Sequence, residues 1–322
     1  MYDVVALGES LIDFAPEGVN AAGVPLYSCN PGGAPANLLA MVAKLGGKCA
    51  FMGKVGADAF GRFLENVMTE AGIDICGLKW DASVHTTIGF VHLDERGDRS
   101  FTFFRNPGAD IMLTKEELSV HLLEQTQNFH FGSVSLTDEP SRSATLEAAR
   151  QARQLGVFVT YDPNYREPLW RSEDEAKHVI LRAVPLADLL KVSFEEMVLL
   201  TGESDLAKGA GALLDLGPAA VLVTLGAKGA FCRTCKTQVS VPAYDVNTID
   251  TTGAGDAFLG ALLWVLKVKN RDALAAMEKE DWTRALAFAS AAGSLTTTAK
   301  GAMPAMPNLS EIETCVSGNK TL

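Results

Sequence analysis

Short apolar runs alternate with helix-like segments along most of this chain, and that alternation restricts the fold more than any other feature. Residues 4–7, 129–131, 157–161, 189–192 and 219–224 have strand length and strand composition. Helix-like stretches fill 35–45, 59–71, 141–155, 174–183, 195–201, 256–266 and 282–296. Pro35 opens one of them, and Gly46, Gly72 and Gly156 close three. The run 219–224 is apolar without a break, as a strand is when helices cover both of its faces. The pattern predicts an α/β chain with a mostly parallel sheet between helical layers. Two stretches interrupt it, 11–30 and 84–105. The second holds two β-like runs joined by DERGD. Together they predict a small antiparallel sheet, either an edge decoration or a lid over a site.

Composition removes several function classes. Hydrophobic residues make up 48% and charged residues 21%, as in globular proteins, so a disordered or collagen-like chain is out. The formal net charge of −11 argues against a nucleic-acid partner, which needs a basic footprint. The longest charge-free apolar run, 257–266, falls well short of the ~18 residues of a membrane span. The N-terminal MYDVVALGES reads as a buried strand entering a glycine turn, with neither the basic region nor the cleavage site of a signal peptide. Six scattered cysteines are too few for a disulfide scaffold. Cys232 and Cys235 form a lone CxxC in a hairpin-like stretch, with no second pair to complete a zinc site. Reduced thiols and a cytoplasmic protein are expected.

The most informative segment is Asp-Thr-Thr-Gly-Ala-Gly-Asp, 250–256, which leads into the helix-like 256–266. Small residues at a helix start expose backbone N–H groups at the positive end of the helix dipole, so an anion fits there. Asp256 stands in the first turn, either as an N-terminal cap or as a functional acid. Phosphoryl transfer to an alcohol needs both parts: donors that neutralise developing charge and a carboxylate that accepts the hydroxyl proton. The chain has no GxxxxGK[ST], no kinase HRD or DFG, and no GxGxxG after its first strand.

Two motifs carry a resemblance. One is Gly-Gly-Ala-Pro-Ala-Asn at 32–37, followed by Gly-Lys-Val-Gly-x-Asp-x-Phe-Gly at 53–61. The other is the 250–256 segment itself. From about residue 4 to 307 the sequence resembles the ribokinase-like (PfkB) carbohydrate kinases and, within them, the fructokinases. The stretches Phe-Arg-Asn-Pro-Gly-Ala-Asp (104–110), Tyr-Asp-Pro-Asn-Tyr-Arg (161–166) and Lys-Gly-Ala-Met-Pro-Ala-Met-Pro (300–307) add to the fructokinase character. The resemblance implies a ribokinase-like three-layer α/β/α sandwich with a small β-sheet lid.

It also implies roles. Asp256 is similar to the general base, and Gly253, Ala254 and Gly255 to the anion hole. Asp13, Gly32, Gly33 and Asn37 resemble sugar contacts. Arg105 either reaches a sugar hydroxyl or pairs on the surface, and contact is the expectation. Asn164 and Arg166, just after a strand, are expected near the phosphates or the sugar. Thr224, Gly226 and Gly229 resemble the nucleotide loop. Ser193 and Glu196 occupy the family's Asn-x-x-Glu, with Ser in place of Asn; Glu196 would organise Mg²⁺ through water. Asp250, Thr252 and Gly301 match a K⁺ site. The implied substrates are ATP and a sugar, with transfer to the 6-hydroxyl of fructose. A 2-keto-3-deoxygluconate kinase or a ribokinase is the alternative within the family. Outside it stand a non-catalytic binding protein, against which the intact Asp256 argues, and a dinucleotide oxidoreductase, disfavoured by the missing GxGxxG.

A length of 322 residues fits two average domains or one large one. Sugar motif and base lie far apart in sequence, which points to one domain, 1–322, with the lid inserted. Apolar lid positions (Ile88, Phe90, Val91, Phe101, Phe103) would let two lids pair in a homodimer.

Overall fold

The computed structural model describes residues 1–93, 99–267 and 270–318; the DERGD connector, 94–98, lies outside them. Thirteen strands are described: β1 (Tyr2–Leu7), β2 (Leu11–Val19), β3 (Pro25–Gly32), β4 (Cys49–Gly56), β5 (Asp74–Asp81), β6 (Ile88–Leu93), β7 (Arg99–Phe104), β8 (Thr126–Gly132), β9 (Phe158–Asp162), β10 (Leu189–Ser193), β11 (Ala220–Thr224), β12 (Ala230–Thr234) and β13 (Gln238–Val241). Nine of them form one sheet in the order β13-β12-β11-β10-β9-β8-β1-β4-β5. Pairing is parallel from β11 to β5 and antiparallel at the β11-β12-β13 edge.

Alternating side chains build the layers. Along β1, Val4 and Ala6 join one apolar cluster while Val5 and Leu7 join a second; along β11, Ala220 and Leu222 face the first and Val221 and Val223 the second. Helices Ala34–Lys44, Ala59–Glu70, Ala254–Leu266 and Lys279–Thr296 fill the first cluster, and Ser141–Gln154, Glu173–Ala183 and Phe194–Thr201 the second. Each fully buried Leu or Val contributes about 1.5–3 kcal/mol, so the two clusters are the main stabilising term. The result is the three-layer α/β/α sandwich expected from the sequence. Among the described residues no helix is long and apolar enough to cross a membrane.

The remaining strands make a second sheet, β3-β2-β6-β7, covering both stretches that interrupt the alternation. It is mixed rather than antiparallel. β2 pairs with β6 in parallel, Asp13 opposite Gly89, because the two hairpins come from separate excursions and meet side by side. Cys232 is buried in β12, Cys235 is exposed in the hairpin turn, and neither is bonded to another cysteine.

Candidate active site

Helix Ala254–Leu266 is apolar on nearly every side and lies between helices Ala34–Lys44 and Lys279–Thr296. Gly260 permits the first contact: a methyl group there would come 2.6 Å from the Leu38 carbonyl oxygen. The helix begins at Gly253, whose φ of 76° is left-handed, and a Cβ on Gly253 would lie 2.5 Å from the Ala302 methyl. Both demands keep this turn glycine. First-turn N–H groups have no partner within a helix. The Ala254 N–H turns back to the Thr251 carbonyl at 3.3 Å, so this predicted anion-hole donor is already engaged.

Two cavities share this turn. One, of about 320 Å³, is lined by Glu9, Leu11, Asp13, Gly33, Ala34, Asn37, Phe103, Val134, Asn164, Arg166, Lys191, Gly253, Gly255 and Asp256, among others. The other, of about 490 Å³, is lined by Ser193, Thr224, Gly226, Gly229, Tyr244, Ala254, Gly255 and Phe258, among others. Of the predicted sugar residues, Asp13, Gly33, Asn37, Asn164 and Arg166 thus line one cavity, and of the predicted nucleotide residues, Ser193, Thr224, Gly226 and Gly229 line the other. Both cavities open where the parallel strands end, the usual place for ligands in such sheets.

Asp256 faces the smaller cavity. Asn37 Nδ2 donates to its Oδ2 at 2.8 Å, and burial raises its pKa to about 6 while the Asn37 hydrogen bond works against that rise. Asn37 is buried, and its Oδ1 has no partner among the described residues. Asp13 reaches the same cavity from β2 of the small sheet. Burial raises it to about 6, and the Arg166 charge opposes the rise. Gly32 does not line the cavity; it makes room for Asp13, whose Oδ2 a side chain at 32 would strike. Gly33, at φ 117°, lies against the Glu9 carbonyl.

Arg105 is a correction. Its side chain is 5% exposed and does not line the cavity. Nε and Nη2 bond Asp110 Oδ2 at 2.8 and 2.6 Å, Nη1 bonds Thr137 Oγ1 at 2.7 Å, and Nη2 also bonds the Val134 carbonyl. Every nitrogen is engaged within the protein, so the guanidinium is neither a sugar contact nor a surface pair.

Ser193 caps helix Phe194–Thr201: its Oγ accepts from Glu196 N, and Glu196 Oε2 accepts from Ser193 N at 2.6 Å. Glu196 Oε1 accepts from Tyr165 N at 2.6 Å. Asp250 binds its own neighbours, with Oδ1 accepting from Thr252 N and Oγ1 and Oδ2 from Gly301 N. The three predicted K⁺ residues therefore meet at the Asp250 carboxylate. No group of three or more His, Cys, Asp or Glu side chains suited to a metal occurs among the described residues.

Sequence reasoning missed three residues. Lys191 and Asp162 pair at 2.8 Å on adjacent strands, with Leu190 opposite Tyr161 setting their approach. Burial works against the Lys191 charge, but Asp162, Glu196 and Asp256 together hold its pKa above the usual value. Its Nζ would be only 3.1 Å from a Cβ on Gly255, so the ammonium lies beside the anion turn. The third is Glu9. It is 3% exposed, its Oε1 accepts from Ala34 N at 3.0 Å, and burial raises its pKa to about 7. A lysine inside an apolar strand was the one available signal; Glu9 gave none, because nothing in the sequence places it beside residue 34.

The fold and this paired-cavity site define a carbohydrate kinase of the ribokinase-like kind. The model of the pfkB family carbohydrate kinases matches residues 1–309, and the chain belongs to that family. It is 42% identical to probable fructokinase-4 of Arabidopsis thaliana over 98% of this chain and 97% of that one. A fructokinase with bound ATP from Xylella fastidiosa superposes with a TM-score of 0.92 at 32% identity, covering 99% of both chains. A fructokinase double mutant from Vibrio cholerae, solved with fructose, ADP and potassium ion, gives 0.86 at 38% identity over 97% of this chain and 98% of that one.

Proposed function

We propose that this protein is a fructokinase, transferring the γ-phosphoryl group of ATP to the 6-hydroxyl of D-fructose to give fructose 6-phosphate and ADP. The observation that carries the reading is the Gly253–Asp256 turn shared by a polar cavity and a larger, more apolar one. The relatives' names supply the choice of fructose over ribose or 2-keto-3-deoxygluconate.

The sugar occupies the smaller cavity. Asp13 accepts from its hydroxyls, and Gly33 and Asn37 border it. ATP lies in the larger cavity along Thr224, Gly226 and Gly229, its γ-phosphoryl reaching the turn. Asp256 removes the proton of the attacking hydroxyl; a pKa near 6 leaves it ionised at neutral pH yet basic enough to assist. Gly253 and Gly255 backbone N–H groups, with Lys191 alongside, meet the charge that develops on the transferring group. Arg166 and Asn164 close the cavity on the far side.

Mg²⁺ arriving with ATP would neutralise phosphate charge. Both Glu196 oxygens already accept backbone N–H groups, which fits a hold through water rather than direct ligation. Asp250 and Thr252 bring oxygen atoms together beside Gly301, donors that would suit a hard cation such as K⁺. The small sheet serves as the lid of one inserted domain and shields the transfer from water. The same reading makes the enzyme cytoplasmic, in keeping with its unpaired thiols, and a homodimer through the lid.

A screen of fructose, ribose and 2-keto-3-deoxygluconate against MgATP, read as coupled ADP release, tests the substrate. Fructose is expected to give the highest kcat/KM. No fructose-dependent release above buffer overturns the reading.

A further inference from the structure

The β6–β7 hairpin joins the rest of the protein at one buried acid. β6 begins directly after Thr87, and β7 ends directly before Arg105. Thr87 Oγ1 donates to Asp110 Oδ1 at 2.5 Å, while Arg105 occupies Oδ2 through Nε and Nη2. The two oxygens of one carboxylate therefore hold the two feet of one hairpin. Asp110 lies outside that hairpin, on the single turn Ala109–Met112 packed against β4, and its side chain is 1% exposed. Arg105 continues to Thr137 and Val134 behind β8, and Val134 lines the smaller cavity. Gly108 allows the close approach: a methyl group there would overlap Thr87 Oγ1 and stand 2.8 Å from Asp110 Oδ1. Charge-assisted bonds out of contact with water are strong and geometrically strict.

We propose that Asp110 is a positioning residue, locking both feet of the hairpin to the body so that the lid closes over the sugar from a fixed base. The pairing of Asp13 with Gly89 carries that placement to β2 and hence to the sugar-facing carboxylate. The inference rests on the reading of the smaller cavity as the sugar site.

Two variants loosen the clamp without touching the cavity lining, Thr87→Val and Gly108→Ala. Expected are a fructose KM raised roughly tenfold, an ATP KM within about twofold of wild type, and more ADP released than fructose 6-phosphate formed. A purely structural role would lower Tm and leave fructose KM and the product ratio unchanged, which overturns the proposal. Hydrogen exchange on the wild-type enzyme decides the matter if a variant does not fold. Peptides covering 105–110 should exchange slowly with and without fructose, while those covering 11–19 exchange faster and slow on binding. Feet that exchange as fast as 11–19 in the free enzyme contradict the clamp. Should wild-type enzyme ignore fructose, the sugar reading fails by itself, and the free-enzyme exchange pattern still judges the clamp.

Discussion

Asp256 combines two properties that pull in opposite directions. Burial disfavours its charge, and its proposed role as base requires that charge. Asp256→Asn keeps the shape and removes the base, so kcat should fall by about 10²–10⁴ with sugar binding retained, as coupled turnover and calorimetry would report. A carboxyl whose folded pKa lies above its unfolded value stabilises the protein below the unfolded pKa and loses that contribution as pH rises through about 6. At pH 7 the same variant should therefore melt higher than wild type. The activity sign is opposite: as the proposed base Asp256 must be ionised, so kcat/KM should fall as pH drops through about 6, with Asp13 raised into the same range. Asn37→Ala removes the hydrogen bond that holds the Asp256 pKa down, and the acidic limb of the pH profile should move to higher pH. Asp256 and Asn37 were legible in the sequence because a motif brackets each. Lys191, Asp162 and Glu9 were not, since their importance comes from neighbours 29 or 25 positions away in the chain.

At the scale of elements, the alternation of apolar runs and helices located most of the main sheet. Helix 35–45 appears as Ala34–Lys44 and strand 219–224 as Ala220–Thr224, because Pro, Gly and continuous apolar runs mark ends locally. The pairing of β2 with β6 was not legible: strand direction across two separate hairpins depends on long-range packing, not on turn residues. Arg105 was misread for a related reason, since its partners lie on two other turns, Asp110 on one and Val134 and Thr137 on the other. The turn before helix Ala254–Leu266 is the element on which the proposed reaction would rest. Gly253→Ala forces a left-handed φ and a clash with Ala302, so stability should drop by about 1–3 kcal/mol in thermal melts. Displacing the donors should lower kcat by about 10²-fold in the folded variant, with fructose affinity little changed.

For the whole molecule, the cavities need residues from both ends of the chain. Asp13 and Asn37 come from the first tenth or so and Asp256 from the last quarter, and all three line the smaller cavity. That arrangement favours one domain with an inserted lid. The lid face that would meet a partner differs from the one expected from sequence. Val91 is buried and Phe103 lines the cavity, while Val19, Val24, Leu26, Tyr27 and Phe104 are the exposed apolar residues; the Phe101 side chain lies outside the described set. Light scattering should give twice the 34.3 kDa chain mass, and Phe104→Glu should reduce it to one; a wild-type monomer contradicts the dimer.

The central claim is transfer of a phosphoryl group to one hydroxyl of one sugar by Asp256. NMR of the product from fructose and MgATP, recorded for wild type and Asp256→Asn, tests it most directly. The account predicts a phosphorus coupled to the C6 protons with wild type and almost no product with the variant. Phosphorylation at another carbon, or product formed by the variant at the wild-type rate, would contradict it.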